Sequence, residues 1–509
     1  MRPCLHVFTL AAGLMTALSS SPAAANPYAQ PTFTDPSTLA AEPPTEPSDL
    51  DPAPLPETRS PPTAGPIDPS VREPEPEETK PPPTVLSPSP AAPAPTSGPI
   101  AAPSPAPSTT SSPWIPRGED EAMADRPLGA SGKVTFKPGA GILISTADER
   151  FSLKISGWAQ LRLTVNHNQN PAPGAPNPSG TLEFNRARLI LTGNMGSKHI
   201  HYMAHLMFAP KDLGWKDGAA TRPPIFVWYT AYTRFKNANL QAGFFFVPHA
   251  RQRMQPAGMW QFPDNSTSSY EFTLNQDIGV QLSSPDIAGL GLMRYYAGVF
   301  MGDGYDYAKA SDFGLTYTGR FELLPLGMFQ DYSEGDFERS RRPKLSLGIA
   351  YAFGDRDHQT RQIAGTTFAD GGTMNAHNIT ADVVLKWAGV SFLGDFYLRR
   401  GWRNPGGLTD MTTGDLIPVQ AVRNGYGWTA QAGVLLPRTR FEMVGRYAGV
   451  RPSRTLTTSL ARLDEAGGGL NYYFLRHALK LQLDYIHTWG PALPLGRGDQ
   501  VRLQLQLAF

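Results

Sequence analysis

Arginine recurs along this chain at positions that a strand would turn to one side. Arg162, the pair Arg186 and Arg188, then Arg440, Arg446, Lys480 and Arg502 each sit at or beside a stretch that alternates between polar and apolar residues. Side chains of a strand point to opposite faces in turn, so the alternation assigns these cations to the polar face. Arg251 and Arg253 fall instead in a long segment between two such stretches. A guanidinium presents fixed paired donors that match phosphate oxygens. Cations around an enclosed aqueous space favour anions inside it. Together the nine read as an anion path that Arg251 and Arg253 narrow. The plainer reading of the loop pair is ordinary loop charge, or partners in rim ion pairs.

A second constellation lies in the third stretch. His199, His201, Met203, His205 and Met207 share one face, and Ile200, Tyr202, Ala204, Leu206 and Phe208 the other. Imidazoles two apart on a strand can chelate one ion, and thioether with imidazole favours copper. The sharper reading is a soft-metal or pH-sensitive lumen site; the favoured one is a polar wall or packing at a subunit contact. No other metal site and no cofactor is expected. The single cysteine, Cys4, lies in a leader-like segment, so disulfides and thiolate sites are excluded from the rest. There is no Gly-rich phosphate loop, no His-Glu-x-x-His and no nucleophile elbow, so catalysis is not expected. Nucleic acid is not an expected partner either, because the cations are enclosed.

The elements that must position these residues are strands. The last nine residues set the pattern: Val501, Leu503, Leu505, Leu507 and Phe509 alternate with mostly polar neighbours. Similar stretches fall near 151–166, 181–194, 198–209, 225–236, 238–247, 275–284, 291–301, 311–322, 343–354, 376–388, 389–400, 425–436, 439–450, 464–474, 477–489 and 499–509. Tight links such as 194–198, 236–238 and 437–438 alternate with long polar links such as 167–180, 248–274, 355–375 and 401–424. An even number of strands with short turns on one side and long loops on the other predicts an all-β, transmembrane antiparallel barrel of about sixteen strands. That size leaves an aqueous channel. Ile155, Ala159, Leu161, Leu163 and Val165 are expected to face lipid, and Lys154, Ser156, Gln160 and Arg162 the lumen. Arg440, Glu442 and Arg446 are likewise placed inside. A charge turned to lipid costs about 2–4 kcal/mol at midplane, which forces the assignment. Aromatic runs such as Phe244-Phe245-Phe246 and Tyr472-Tyr473-Phe474 suit interfacial girdles.

The remaining chain is of two kinds. Residues 1–25 read as a secretory signal peptide: Arg2, an apolar run from Leu5 to Leu18, then Ala23-Ala24-Ala25. Residues 26–128 hold 29 of the 51 prolines and a net charge of −10, so they read as a disordered acidic periplasmic linker with polyproline II character. Residues 129–509 carry the barrel and a net charge of +10. The linker is expected to be a spacer, or a tether to peptidoglycan or periplasmic proteins.

These strands carry a resemblance. Lys154-Ile155-Ser156-Gly157, Phe184-Asn185-Arg186-Ala187-Arg188-Leu189, Leu240-Gln241-Ala242-Gly243, Asp277-Ile278-Gly279-Val280, Tyr296-Ala297-Gly298-Val299-Phe300, Leu347-Gly348-Ile349-Ala350-Tyr351 and Leu481-Gln482-Leu483-Asp484-Tyr485 follow one another as in the phosphate-selective porin O and P family of bacterial outer membranes. Residues 150–509 resemble that family throughout. The resemblance implies a homotrimer of sixteen-stranded barrels that passes small anionic solutes, with an arginine ladder leading to a basic constriction near the third loop. Outer-membrane lipid is the expected surroundings, and the C-terminal strand ending at Phe509 is expected to engage the barrel-assembly machinery. Asn185 stands where relatives often carry another arginine, at a position expected to face lipid or the rim. The expected function is therefore passive, anion-preferring diffusion, of phosphate or polyphosphate among other solutes. A structural anchor for the linker, and a general or carbohydrate porin, are the alternatives.

Overall fold

Each alternating stretch forms one strand, and each strand pairs antiparallel with the next. The structure, a computed structural model, describes residues 126–127 and 132–509, except 170, 172–173, 175, 216–218, 305–313 and 494–496. The expected signal peptide and nearly all of the proline-rich linker lie outside the described residues. In chain order the barrel strands are β1 (Ser152–Asn168), β2 (Ser179–Asn194), β3 (Ile200–Met207), β4 (Ile225–Phe235), β5 (Ala238–Phe246), β6 (Gln276–Ser284), β7 (Met293–Phe300), β8 (Thr316–Leu323), β9 (Lys344–Asp357), β10 (Thr373–Trp387), β11 (Val390–Asn404), β12 (Gly425–Leu435), β13 (Phe441–Pro452), β14 (Leu463–Leu475), β15 (Leu479–Trp489) and β16 (Arg497–Ala508). β16 returns to β1, from Gly498 beside Asn168 to Ala508 beside Trp158, and closes the sheet. Closure gives every spanning strand two neighbours, which a barrel in hydrocarbon requires. A short hairpin, Gly132–Lys137 with Gly141–Thr146, precedes β1 and pairs with its first residues.

The period of two decides inside from outside. On β15, Leu483 and Tyr485 are exposed while Lys480, Gln482 and Asp484 are buried. The apolar side chains thus face outward, and the polar ones fill the interior. Such a surface is stable against lipid rather than water.

One bulge resets this period. Gln160 pairs with Arg186, and Leu161 with Phe184, so Asn185 is the extra residue. Before it Leu182 and Phe184 face outward. Beyond it the outward residues are Ala187, Leu189 and Leu191. Asn185 does not face lipid or the rim as expected: it is buried, and its Oδ1 accepts a hydrogen bond from Lys211 Nζ at 3.2 Å.

Long connections gather at one end of the barrel and tight ones, such as 236–237 and 388–389, at the other. One connection breaks the rule. Residues 324–343, between β8 and β9 at the tight-turn end, form a strap, and its Asp331, Tyr332, Glu334 and Asp336 are buried. From the opposite end the loop 247–275 folds inward with two short helices, α1 (Arg251–Met254) and α2 (Thr267–Phe272). Ser266 caps α2 by accepting from the Ser269 backbone N–H. The aromatic run that ends β5 is expected in a girdle. Phe244, Phe245 and Phe246 are instead all buried, and Phe245 meets Phe300 edge-on at 5.3 Å.

Candidate functional site

The lumen-facing arginines of β1, β2 and β16 converge on one carboxylate of the inserted loop. Arg162 Nη1 donates to Asp264 Oδ2 at 2.5 Å, Arg502 Nη1 to the same oxygen at 3.0 Å, and Arg186 Nη2 to Oδ1 at 2.8 Å. Arg162 Nη2 adds a longer contact to Oδ1 at 3.2 Å. The loop backbone is fixed beside it. Pro263 O accepts from Arg162 and Arg186, and Asp264 O from Arg446 Nη1 at 2.8 Å. Arg502 is also paired with Asp484. Asp264 is carried by the loop and not by a spanning strand. Burial would raise its carboxyl, but Arg162, Arg186 and Arg502 override that and hold it well below the usual carboxylate range. Its side chain keeps 31% exposure and that of Arg186 16%, against 2% for Arg162 and 5% for Arg502. The site opens to solvent along Asp264 and Arg186.

A second cluster lies where the inserted loop meets the strap. Arg251, on α1, donates to Asp382 Oδ1 at 2.6 Å, Asp331 Oδ2 at 2.7 Å and Ser346 Oγ at 2.9 Å. Arg294 shares Asp331, Arg320 shares Asp382, and both contact Glu322. Tyr332 donates to Glu322 as well. The two insertions also bond directly: Glu334 N–H donates to Met259 O, and Gln261 N–H to Glu334 Oε2 at 2.6 Å. Lys386 Nζ holds the strap through Gln330 O and Ser333 O. This lumen is largely filled.

The remaining expected residues are placed differently. Arg188 faces inward and pairs with Asp212 at 2.7 Å, its guanidinium 3.8 Å above the Phe226 ring. Arg446 pairs with Glu465 at 2.6 Å, and Lys480 donates to Trp260 O at 2.7 Å. Arg253 lies against the Phe246 ring rather than beside Arg251. Arg440 is not in the lumen: it is exposed in the turn before β13, where Nη1 donates to Phe474 O. The turn ends two residues later than the alternation implied, since β13 starts at Phe441 rather than at 439. Of the histidine–methionine stripe, His201 Nε2 bonds Thr233 Oγ1 at 2.9 Å, His205 packs edge-on against Phe226, and Met203 joins an apolar cluster. His199 stands before β3. Among the described residues, no group of three or more His, Cys, Asp or Glu is placed to share a metal ion.

No family model matches the chain, and no curated protein matches it. Solved structures are similar to it. A loop-deletion mutant of OmpT, an outer membrane protein of Vibrio cholerae, is 10% identical over 70% of this chain and 99% of its own, with a TM-score of 0.45. The outer membrane channel DcaP of Acinetobacter baumannii is 10% identical over 70% and 97%, with a TM-score of 0.43. OccK1 of Pseudomonas aeruginosa is 12% identical over 70% and 98%, with a TM-score of 0.37.

Sequence reasoning found the arginines and missed their carboxylates. Asp264, Glu322, Asp331 and Asp382 follow no repeated spacing. The one usable signal was parity: Glu322 and Asp382 lie inside strands, where a charge has to face the lumen.

Proposed function

We propose that this chain forms a bacterial outer-membrane channel for passive, anion-preferring diffusion of small solutes. The observation that carries the reading is the meeting of Arg162, Arg186 and Arg502 on the single carboxylate of Asp264, at the part of the lumen wall that keeps solvent exposure. A polar interior within an apolar exterior supports a membrane barrel, and an excess of guanidiniums at the open part of the wall supports anions over cations. Phosphate and polyphosphate belong to the solutes proposed, and a homotrimer is the proposed assembly. The measurement is reversal potential of the purified protein in a planar bilayer under a KCl gradient. Chloride preference supports the reading; cation preference or no conductance overturns it.

A second reading has its own support. Loop 247–275 and the strap fill much of the lumen, which suits a barrel that anchors the acidic linker 26–128 between outer membrane and periplasm. Deleting 26–128 then weakens the cell envelope, whereas the channel reading leaves conductance unchanged.

A further inference from the structure

We propose that Arg162, Arg186 and Arg502 form a carboxylate-binding subsite, and that Asp264 occupies it as a tethered stand-in for the solute. This deepens the channel reading and rests on it.

The argument starts from how completely the side chain is held. Oδ2 of Asp264 accepts from Arg162 Nη1 at 2.5 Å and Arg502 at 3.0 Å, and Oδ1 from Arg186 at 2.8 Å; Arg162 Nη2 lies 3.2 Å from Oδ1, but its two hydrogens serve Pro263 O and Gln504 Oε1 at shorter distance. Three guanidinium donors, one from each arginine, thus face two coplanar oxygens, the set a carboxylate takes. A tetrahedral phosphate placed there would leave further oxygens without partners.

The loop does not need this carboxylate to stay in place. Pro263 O and Asp264 O are bound by Arg162, Arg186 and Arg446, and Thr267 N–H donates to Glu465 Oε2 at 2.8 Å. Rotation about the Asp264 side chain therefore vacates the cradle while the backbone remains tied. The open approach runs past Asp264 and Arg186, so an arriving carboxylate meets the two most exposed members first. It takes over the Arg186 donor, then the Arg162 and Arg502 donors as Asp264 swings away. The exchange replaces one charge-assisted set with an equivalent one, so it proceeds without leaving a buried guanidinium bare.

A tethered competitor raises the free carboxylate needed to fill the site. Removing it lowers that concentration. In planar bilayers the probe is acetate, read as the concentration that halves chloride current in wild type, Asp264→Asn and Arg186→Gln. In Asp264→Asn acetate block strengthens by about tenfold, as expected for loss of an intramolecular competitor. In Arg186→Gln it weakens severalfold. Inorganic phosphate is the second probe, and its block changes much less. A wild type that prefers chloride but shows the same acetate block as Asp264→Asn overturns the subsite and leaves the channel reading standing. A phosphate shift as large as the acetate shift overturns the carboxylate assignment. Should Asp264→Asn fail to insert, unchanged acetate block in Arg186→Gln overturns the proposal. Cation preference in wild type overturns the channel reading and the subsite with it.

Discussion

Arg251, on the loop that enters from the long-loop end, donates through Nη1 to Asp331, on the strap that enters from the tight-turn end, at 2.7 Å. Two insertions from opposite mouths are thus joined by one ion pair inside the barrel. Both side chains are buried, so neither charge has water to fall back on. The pair stands in a shared network in which Arg294 binds Asp331 and Arg251 also binds Asp382.

Loosening the strap should widen the channel. Replacing Met328–Glu338 with an equally long Gly/Ser run keeps the reach of the segment and removes its side-chain contacts. Single-channel conductance is expected to rise severalfold. The single substitution Asp331→Asn should raise it less, and should destabilise the barrel by about 3 kcal/mol because Arg251 and Arg294 lose a buried partner. Equal conductance in all three proteins would mean that the strap does not restrict flow.

The outward face is expected to reject charge. Ile349 is exposed on β9, next to the inward Ala350. Ile349→Arg should cost about 2–4 kcal/mol near the bilayer midplane, read as urea unfolding in lipid vesicles. Gln504→Glu, on the lumen face of β16, should leave membrane insertion intact.

Closure of the barrel depends on one small residue. A methyl group on Gly157 would lie 2.6 Å from Arg188 O and 2.8 Å from the Phe509 ring. Phe509 and Gly157 also exchange both backbone hydrogen bonds. Gly157→Ala should therefore destabilise the β1–β16 seam by about 1–3 kcal/mol, seen as a lower unfolding midpoint.

The cradle should resist acid. Asp264 ionises below the ordinary carboxylate range, so its pairing stabilises the fold fully above that range and is lost only as pH falls through the lower, folded value. Asp264 therefore contributes no change in reversal potential between pH 7 and about 4.5, the ordinary value being near 3.9. In stronger acid the wild type should approach the chloride preference of Asp264→Asn. Convergence of the two curves already near pH 6 would contradict this.

The strands were legible because their signal is local. Alternation every two residues marked all sixteen, and parity alone turned Arg162, Arg188 and Arg502 inward. What the sequence hid depends on distance along the chain. Asp264 lies 102 residues from Arg162 and 238 from Arg502, so no spacing announces their meeting. Nothing in residues 324–343 marks the strap, since no local pattern distinguishes a turn that folds inward from one that stays outside. The run Phe244-Phe245-Phe246 misled for the same reason: an aromatic run at a strand end suits a girdle as well as burial, and here Phe245 and Phe246 cluster with Tyr229 and Phe300. Asn185 was misplaced because one extra residue shifted the phase.

That shift at Asn185 makes β2 two short gratings half a period apart. A scan that assumes one continuous alternation averages them toward zero, although each half is clear alone. The wall gains something in return: Asn185 and Arg186, adjacent in sequence, both reach the interior. Two residues adjacent in sequence thus address the same side of the wall, so substitutions at either leave the contact with lipid untouched.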